Sequence, residues 1–490
     1  MQKSLAMASP SRARAATLTA AILASSLGFM DGAVVTVAIP AIRSDIGADF
    51  GQIQWVSNGY ALMLSALILV GGAAGDRFGQ RETFGAGILV FCLTSLGCAT
   101  AGSPEPLIIW RCLQGAGAAF MVPGSLALIA LAFPTDERGR AIGLWSMVSG
   151  IAAALGPIVA GTLIQFAGPT AWRWIFWINL PAGALTLFLL FALTPRHRPK
   201  AGTHLDLLGA AIVTIGLGGL ALGLTFASEP SPSPRDIGLA LAIGVAAMVL
   251  FWLWERRSKV PMLPRALFAL RTFNGANLLT FCLYFALAGS LFFLPMTLIE
   301  ALQLGAAKAG SVYLPFTLTM ALLARYSGAL SDRRGPRLPI ALGSVIVGLS
   351  FLTVAAGVAA GAYEYGVLPS MALLGIGMGF VVPPLSTTVM TVADEGLAGT
   401  ASGINNGVAR IAGLFAVAAL GIVAALAYRL NIDADLASAS YGEPAHADWP
   451  PAALAVRAHA MIVAFAAVSV ATAALSFASA IVAWRMLPQK

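Results

Sequence analysis

The sequence predicts an all-α polytopic membrane protein of about fourteen spans. Three observations carry that expectation. Of 490 residues, 58% are hydrophobic and only 10% charged, with a mean hydropathy of +0.85. A soluble domain carries roughly 25% charged residues, so this chain lacks the polar surface to cover itself in water. The charges also sit in short clusters between apolar stretches, and about 20 helical residues cross a hydrocarbon core about 30 Å thick. Finally, two glycine-rich patterns recur at offsets of 256 and 260 residues.

Fourteen apolar runs of spanning length lie between charged or Pro/Gly-rich breaks. Spans 1 to 6 are expected at Thr17–Ile39, Trp55–Gly75, Thr83–Ala101, Leu107–Ala132, Ala141–Phe166 and Trp174–Leu193. Spans 7 and 8 follow at Leu207–Ala227 and Ile237–Trp254. Spans 9 to 14 are Gly275–Ile299, Ala309–Leu330, Leu338–Ala360, Gly366–Val392, Ala401–Ala427 and Ala458–Arg485. The first thirty residues imitate a secretory signal, with Lys3, Arg12 and Arg14 ahead of an apolar run. That run continues to Ile39, too long for a signal, so it reads as an uncleaved first span.

Lysine and arginine set the orientation. With the N-terminus inside, 20 basic residues fall in cytoplasmic segments and six (Arg43, Arg173, Arg235, Lys308, Arg429 and Arg457) in external ones. Both termini are therefore expected in the cytoplasm. The net charge of +8 is then a topological signal, which argues against nucleic acid as a partner and for the lipid bilayer. Tryptophans at span ends, among them Trp172, Trp174 and Trp177, read as an interface belt. Cys92, Cys98, Cys112 and Cys282 lack CxxC spacing and read as small buried hydrophobes. His197, His204, His446 and His459 lie in loops or at a span end, so no metal centre is expected. None of the five lysines follows a glycine, so there is no GxxxxGK[ST] loop for direct use of ATP.

The repeats sharpen the picture. Gly72-Ala-Ala-Gly-Asp76-Arg77-Phe-Gly79-Gln-Arg81 matches Gly328-Ala-Leu-Ser-Asp332-Arg333-Arg-Gly-Pro-Arg337, and Leu113-Gln114-Gly-Ala-Gly-Ala-Ala-Phe-Met121-Val-Pro123 matches Leu373 to Pro383. Both copies keep their place relative to the spans, which is the plan of two parallel six-span halves with a transport site between them. Spans 7 and 8 are inserted between the halves. On these residues the chain resembles the major facilitator superfamily, and within it the fourteen-span drug:proton antiporters of the EmrB/QacA type. Gly72-x-x-x-Asp76-Arg77-x-Gly79-x-Arg81 resembles the family's loop motif between spans 2 and 3. Arg111-x-x-Gln114-Gly115-x-Gly117 resembles its span 4 motif. Gly143 with Gly156-Pro157-x-x-Ala160-Gly161 resembles the antiporter motif of span 5, with Ala160 in place of a glycine. Met30-Asp31 to Pro40 resembles the span 1 motif, departing from it at Gly32, Ala33 and Thr36. The implied fold is the major facilitator fold: an N-terminal six-helix bundle (1–196), two inserted spans with linkers (197–272) and a C-terminal six-helix bundle (273–490).

Asp31 is the only carboxylate deep within an expected span. A charge at that depth costs at least about 2.5–3.5 kcal/mol, so it persists where it faces a cavity or a partner. Burial raises a carboxyl group's proton affinity and a nearby cation lowers it; together they make a usable proton carrier. Arg111 is the natural partner: about 6–10 Å into span 4 from the outer side, against about 12 Å for Asp31 in span 1. By the repeat offsets Ala286 and Met371 stand opposite Asp31 and Arg111, so neither charge is duplicated. A purely structural ion pair is the competing reading. Asp76 is expected to cap the start of span 3, while Arg77, Arg81, Arg333 and Arg337, with Asp332, serve either as topogenic charge or, by resemblance, as a cytoplasmic gate. Gly143, Gly156, Pro157 and Gly161 allow close helix approach or a hinge. Arg410 and Asn405 form a second polar cluster near mid-depth, and Arg325 reads as snorkelling. Met30, Tyr60, Gln114, Met121 and Tyr284, with Phe29, Phe120, Phe281 and Phe285, occur at depths where a cargo cavity could form.

The resemblance implies a proton-coupled exporter of amphipathic, expectedly cationic, toxic compounds, multi-pass in the cytoplasmic (inner) membrane. It would use the proton gradient and no cofactor, with a small substrate and protons as partners. A periplasmic adaptor and an outer-membrane channel are left open. Two rivals stand beside it. One is export of a single endogenous metabolite or siderophore. The other, more remote, is a membrane-embedded transferase, which needs an acid, base or nucleophile set at the interface; the one long loop, Tyr428 to Arg457, shows no such arrangement.

Overall fold

The computed structural model describes residues 10–196, 205–229, 231–258, 261–392, 397–432, 441–442 and 449–489. Lys3, His197, His204, His446 and most of the loop between spans 13 and 14 lie outside them, as do the side chains of Arg325 and Asp332. Among the described residues, fourteen helices are long and apolar enough to cross a membrane. Spans 1 to 7 are Ser11–Ile46, Phe50–Phe78, Gln80–Ala99, Pro104–Ala132, Arg140–Ala167, Pro169–Leu193 and Leu207–Ser228. Spans 8 to 14 are Pro234–Arg257, Arg271–Glu300, Ala306–Ala324, Arg337–Ala359, Tyr363–Val392, Thr400–Arg429 and Pro451–Met486. The inner face is taken here as the more basic one.

The repeat is visible in backbone contacts as well as in sequence. Gly115 of span 4 packs directly on the backbone of Tyr60 in span 2, and its repeat mate Gly375 packs on Phe316 in the same way. Gly117 meets Gly87 between spans 3 and 4; Gly377 meets Gly343 between spans 11 and 12. Even a methyl group would collide at these crossings, so the glycines set the helix spacing. The tight loops correspond too. Gly79 (φ 104°) ends span 2 and Gly335 (φ 78°) ends the span 10 helix, a conformation that a side chain would strain. Beyond each turn a motif arginine covers the carbonyl end of a neighbouring helix. Arg81 donates to Leu190 and Phe191 O (3.1 and 2.5 Å), and Arg337 to Leu487 O (3.0 Å). A cation at free carbonyls is favourable there.

Spans 7 and 8 pack on each other where Gly219 meets Gly244. Span 7 then lies against spans 2 and 13, through Leu217 with Leu62 and Leu414. The halves are joined at the outer end by a continuous apolar core that includes Val34, Phe50, Phe293 and Leu420. Polar contacts reinforce it. The Thr36 and Tyr313 hydroxyls lie 3.1 Å apart, Gln165 accepts from Ala307 N at 3.2 Å, and Arg43 donates to Tyr441 O at 2.9 Å. Tyr441, from the loop between spans 13 and 14, is wedged against Phe50 and Phe293. Gly161 of span 5 packs on Ala306, and Gly310 on Pro157. The outer end is closed.

Three expectations are corrected. Asp76 does not cap span 3: span 2 runs on to Phe78, because the breaking conformation is at Gly79, and Asp76 accepts from Gln80 within that turn (3.1 Å). Trp172 is buried rather than interfacial, its indole donating to Asp45 at 3.0 Å. Of the span 5 glycines, Gly156 and Gly161 sit at close approaches, but Gly143 is exposed with nothing near its absent side chain.

Because Gly161 abuts Ala306 backbone, Gly161→Leu should cost the outward-closed state about 1–3 kcal/mol. That is roughly a five- to 150-fold shift toward an open outer end. Labelling of a Thr36→Cys reporter by an impermeant maleimide from outside should rise accordingly; an unchanged labelling rate contradicts the seal.

Candidate functional site

Asp31 and Arg111 meet inside the N-terminal half. Asp31 is 2% exposed and Arg111 1%, and they form an ion pair, Arg111 Nη1 donating to Asp31 Oδ2. The other carboxylate oxygen accepts from Gln114 Nε2 at 3.1 Å and Asn179 Nδ2 at 3.5 Å. Ser95 Oγ closes the ring, accepting from both amides at 2.7 and 3.0 Å. Helix geometry explains the convergence. Arg111 and Gln114 are three residues apart on one face of span 4. Asn179 opens the second segment of span 6, after a turn at Ile178.

Arg111 has further partners. Its Nε donates to Val56 O at 3.0 Å and its Nη1 to Gln114 Oε1 at 2.5 Å. The guanidinium carbon lies 4.5 Å from the Tyr60 ring centroid and 5.8 Å from that of Phe176. Burying two ions costs several kcal/mol each and is repaid only when the remaining donors and lone pairs are satisfied. Here they are. Should the carboxylate become neutral, Arg111 keeps a carbonyl, an amide oxygen and an aromatic face, so the cation is not stranded.

The remaining expected site residues divide. Gln114 belongs to the ion-pair network and is fully buried, not cavity-lining in this state. Met121 is likewise buried, against Gly28. Tyr60 donates to Gly28 O at 3.3 Å beneath Arg111. Met30 packs on Gly156 of span 5. Asn405 ties span 13 to span 9, donating to Asn277 (3.1 Å) and Thr280 (2.7 Å). Arg77 and Arg333 are exposed at the inner face. Arg410 and Tyr284 are half-buried, with Arg410 in electrostatic reach of Tyr60 and Tyr284. Ser95 and Asn179 were not singled out in the sequence. Their signal was weak: one hydroxyl and one amide in apolar runs, without a motif.

A family model described as Major Facilitator Superfamily matches residues 21–417. The chain belongs to the major facilitator superfamily. The tetracenomycin C resistance and export protein of Streptomyces glaucescens is 31% identical over 84% of this chain and 76% of that protein. The cephamycin export protein of Amycolatopsis lactamdurans is 34% identical over 82% of this chain and 84% of its own length. In fold, the chain is similar to the inward-facing, occupied structure of a bacterial homologue of the lysosomal transporter Spinster (TM-score 0.63, 16% identity, 97% of each chain). This member of the superfamily is therefore a multi-pass cell-membrane transport protein and not an enzyme.

Asp31→Asn alone removes the anion and leaves Arg111 with only its neutral partners, so it should lower stability by about 1–3 kcal/mol, less than a cation left with none. The double variant Asp31→Asn/Arg111→Gln should recover most of that loss. Thermal unfolding of the purified protein in detergent measures both; additive losses would mean the pair is not coupled.

Proposed function

We propose that the protein is a proton-coupled antiporter that exports amphipathic compounds across the cytoplasmic membrane, with Asp31 as the proton carrier and Arg111 as the group that controls its release. The observation that carries this reading is a lone carboxylate whose paired cation has substitute partners. An ion pair serving stability alone needs no such reserve, whereas one that breaks and reforms in each cycle does. Names printed for the relatives, tetracenomycin C resistance and export and cephamycin export, favour outward movement of small compounds.

Span 1 supplies the mechanical link. Asp31 holds it to span 4, Met30 and Val34 pack on Gly156 of the antiporter motif, and Thr36 reaches Tyr313 in the outer seal. Protonation of Asp31 loosens the first tie and lets span 1 shift against spans 5 and 10. The physical warrant is a contiguous packed element that both sites bias. A membrane potential provides about 2.3 kcal/mol per charge per 100 mV, roughly a fifty-fold gradient. In the state described, the carboxylate is enclosed and matched by Arg111, so it offers no open face to a cationic cargo.

In proteoliposomes with an imposed gradient of one pH unit, wild type should sustain up to about a tenfold cargo gradient per proton exchanged. Asp31→Asn/Arg111→Gln should equilibrate cargo without concentrating it. Full concentrative transport by that variant would remove Asp31 from the mechanism.

A further inference from the structure

Arg410 is the charged side chain of the midplane that the proton site does not use. It lies ten residues into span 13, about 15 Å along the helix. Two registers fix where it points. Gly403 and Gly421, seven residues before it and eleven after, share its helical face and pack on Leu69 and Gln54 of span 2. Arg410 therefore faces span 2 between those levels, and Tyr60 is within its electrostatic reach. On the side toward span 9, Asn405 bonds Thr280 and Gly413 meets Ala288, which brackets Arg410 at the level of Tyr284. The guanidinium thus stands at the seam of the two halves, on the face of span 13 toward span 2 and at the level of Tyr284.

What surrounds it decides its chemistry. Among the described residues Arg410 makes no hydrogen bond or ion pair, and it is only half-buried. The carboxylate nearest in depth, Asp31, is enclosed and held by Arg111, Gln114 and Asn179. Repeat symmetry puts apolar Ala286 at Asp31's place in the second half, buried. Among the described residues, Arg410 is thus a cation at bilayer depth without a protein anion, although such residues normally face a partner or a water-filled passage. A guanidinium presents a planar fork that matches a carboxylate bidentately and stacks on aromatic rings.

We infer that Arg410, with Tyr284 and Tyr60 beside it, is an anion-recognising cargo subsite, and that the exported compounds are aromatic organic anions bearing a carboxylate or similarly acidic group. This deepens the antiport reading and rests on it for the direction of transport only. It also changes the energetics. Exchange of one proton for a monovalent cation moves no net charge, whereas exchange for a monovalent anion moves two elementary charges. An interior-negative potential then drives export in addition to the pH gradient.

The test uses matched naphthyl and anthracenyl probes, each as carboxylate, uncharged amide and ammonium, in proteoliposomes of the full-length protein. Wild type should move carboxylates roughly ten- to hundredfold faster than ammonium probes, and carboxylate export should accelerate when a valinomycin-set potential is imposed. Arg410→Gln should collapse the carboxylate-to-amide ratio, and Arg410→Lys should keep its sign at reduced size. The wild-type measurements need no variant, so a misfolded substitution leaves them decisive. Preference for the ammonium probes, absence of carboxylate flux, or an unchanged ratio in Arg410→Gln would each overturn the subsite. Charge preference is read from downhill flux without a pH gradient; should only the response to that gradient be missing, antiport fails and the subsite stands.

Discussion

The structure depends on one buried pair, Asp31 with Arg111, because among the described residues nothing else in the N-terminal half ties as many helices through polar contacts. The carboxylate belongs to span 1, the guanidinium and Gln114 to span 4, Ser95 to span 3, Asn179 to span 6, and the Val56 carbonyl to span 2. Elsewhere these helices pack largely through small residues and apolar side chains, which fix spacing but tolerate rotation, with lesser polar ties such as Ser25 to Ser125 and Trp172 to Asp45. An ion pair at this depth does not. Any rotation of span 1 that separates the charges exposes both to a medium of low dielectric. The second half has no counterpart at those positions: the repeat places Ala286 and Met371 there, both buried, and its buried pair, Arg457 with Glu300 at 2.9 Å, lies at the outer ends of spans 14 and 9. The two halves share a backbone plan but differ in what resists movement.

On the antiport proposal, that difference locates the moving part. Span 1 carries the paired carboxylate near its centre and the outer seal on its C-terminal third, where Thr36 meets Tyr313 and Arg43 reaches Tyr441. Span 5 lies across both, with Gly156 under Met30 and Val34 and Gly161 against Ala306. On the antiport proposal, a change at the carboxylate would reach the seal through one helix and one glycine-lined contact, a short path with identifiable members. The motif arginines belong to a separate task. Arg81 and Arg337 each cover carbonyls within their own half, so in this state they brace the inner ends of the bundles rather than join them.

Much of this was legible in the sequence for physical reasons that can be named. The span count follows from apolar length, and the halves from glycine patterns that turn out to mark equivalent close crossings, Gly115 on Tyr60 and Gly375 on Phe316. The meeting of Asp31 and Arg111 could be argued from depth, because a helix converts sequence position into height. What height does not give is azimuth. Gln114 was placed with cavity residues, though its side chain turns inward to the carboxylate. Asn405 was grouped with Arg410 by proximity in sequence, though it bonds span 9. Ser95 and Asn179 were invisible because a single polar residue in an apolar run reveals its partner only in three dimensions. Asp76 was misplaced by a boundary error, since the end of span 2 is set by the backbone angle at Gly79 and not by hydropathy.

An exchanger must never open its proton carrier to both sides at once, and the geometry suggests how a chain with one deep carboxylate meets that demand. While the outer end is closed, Asp31 is matched by Arg111 and screened by Tyr60, Gln114 and Asn179. On the antiport proposal, a proton reaching it from outside would have to pass the seal that Thr36, Arg43 and Tyr441 close. The charge on Arg410 works in the same direction. On that proposal, a cation standing at the seam would repel a hydrated proton approaching between the halves. The same charge that would admit an organic anion would then turn protons away, so the cargo route and the proton route need not be the same path.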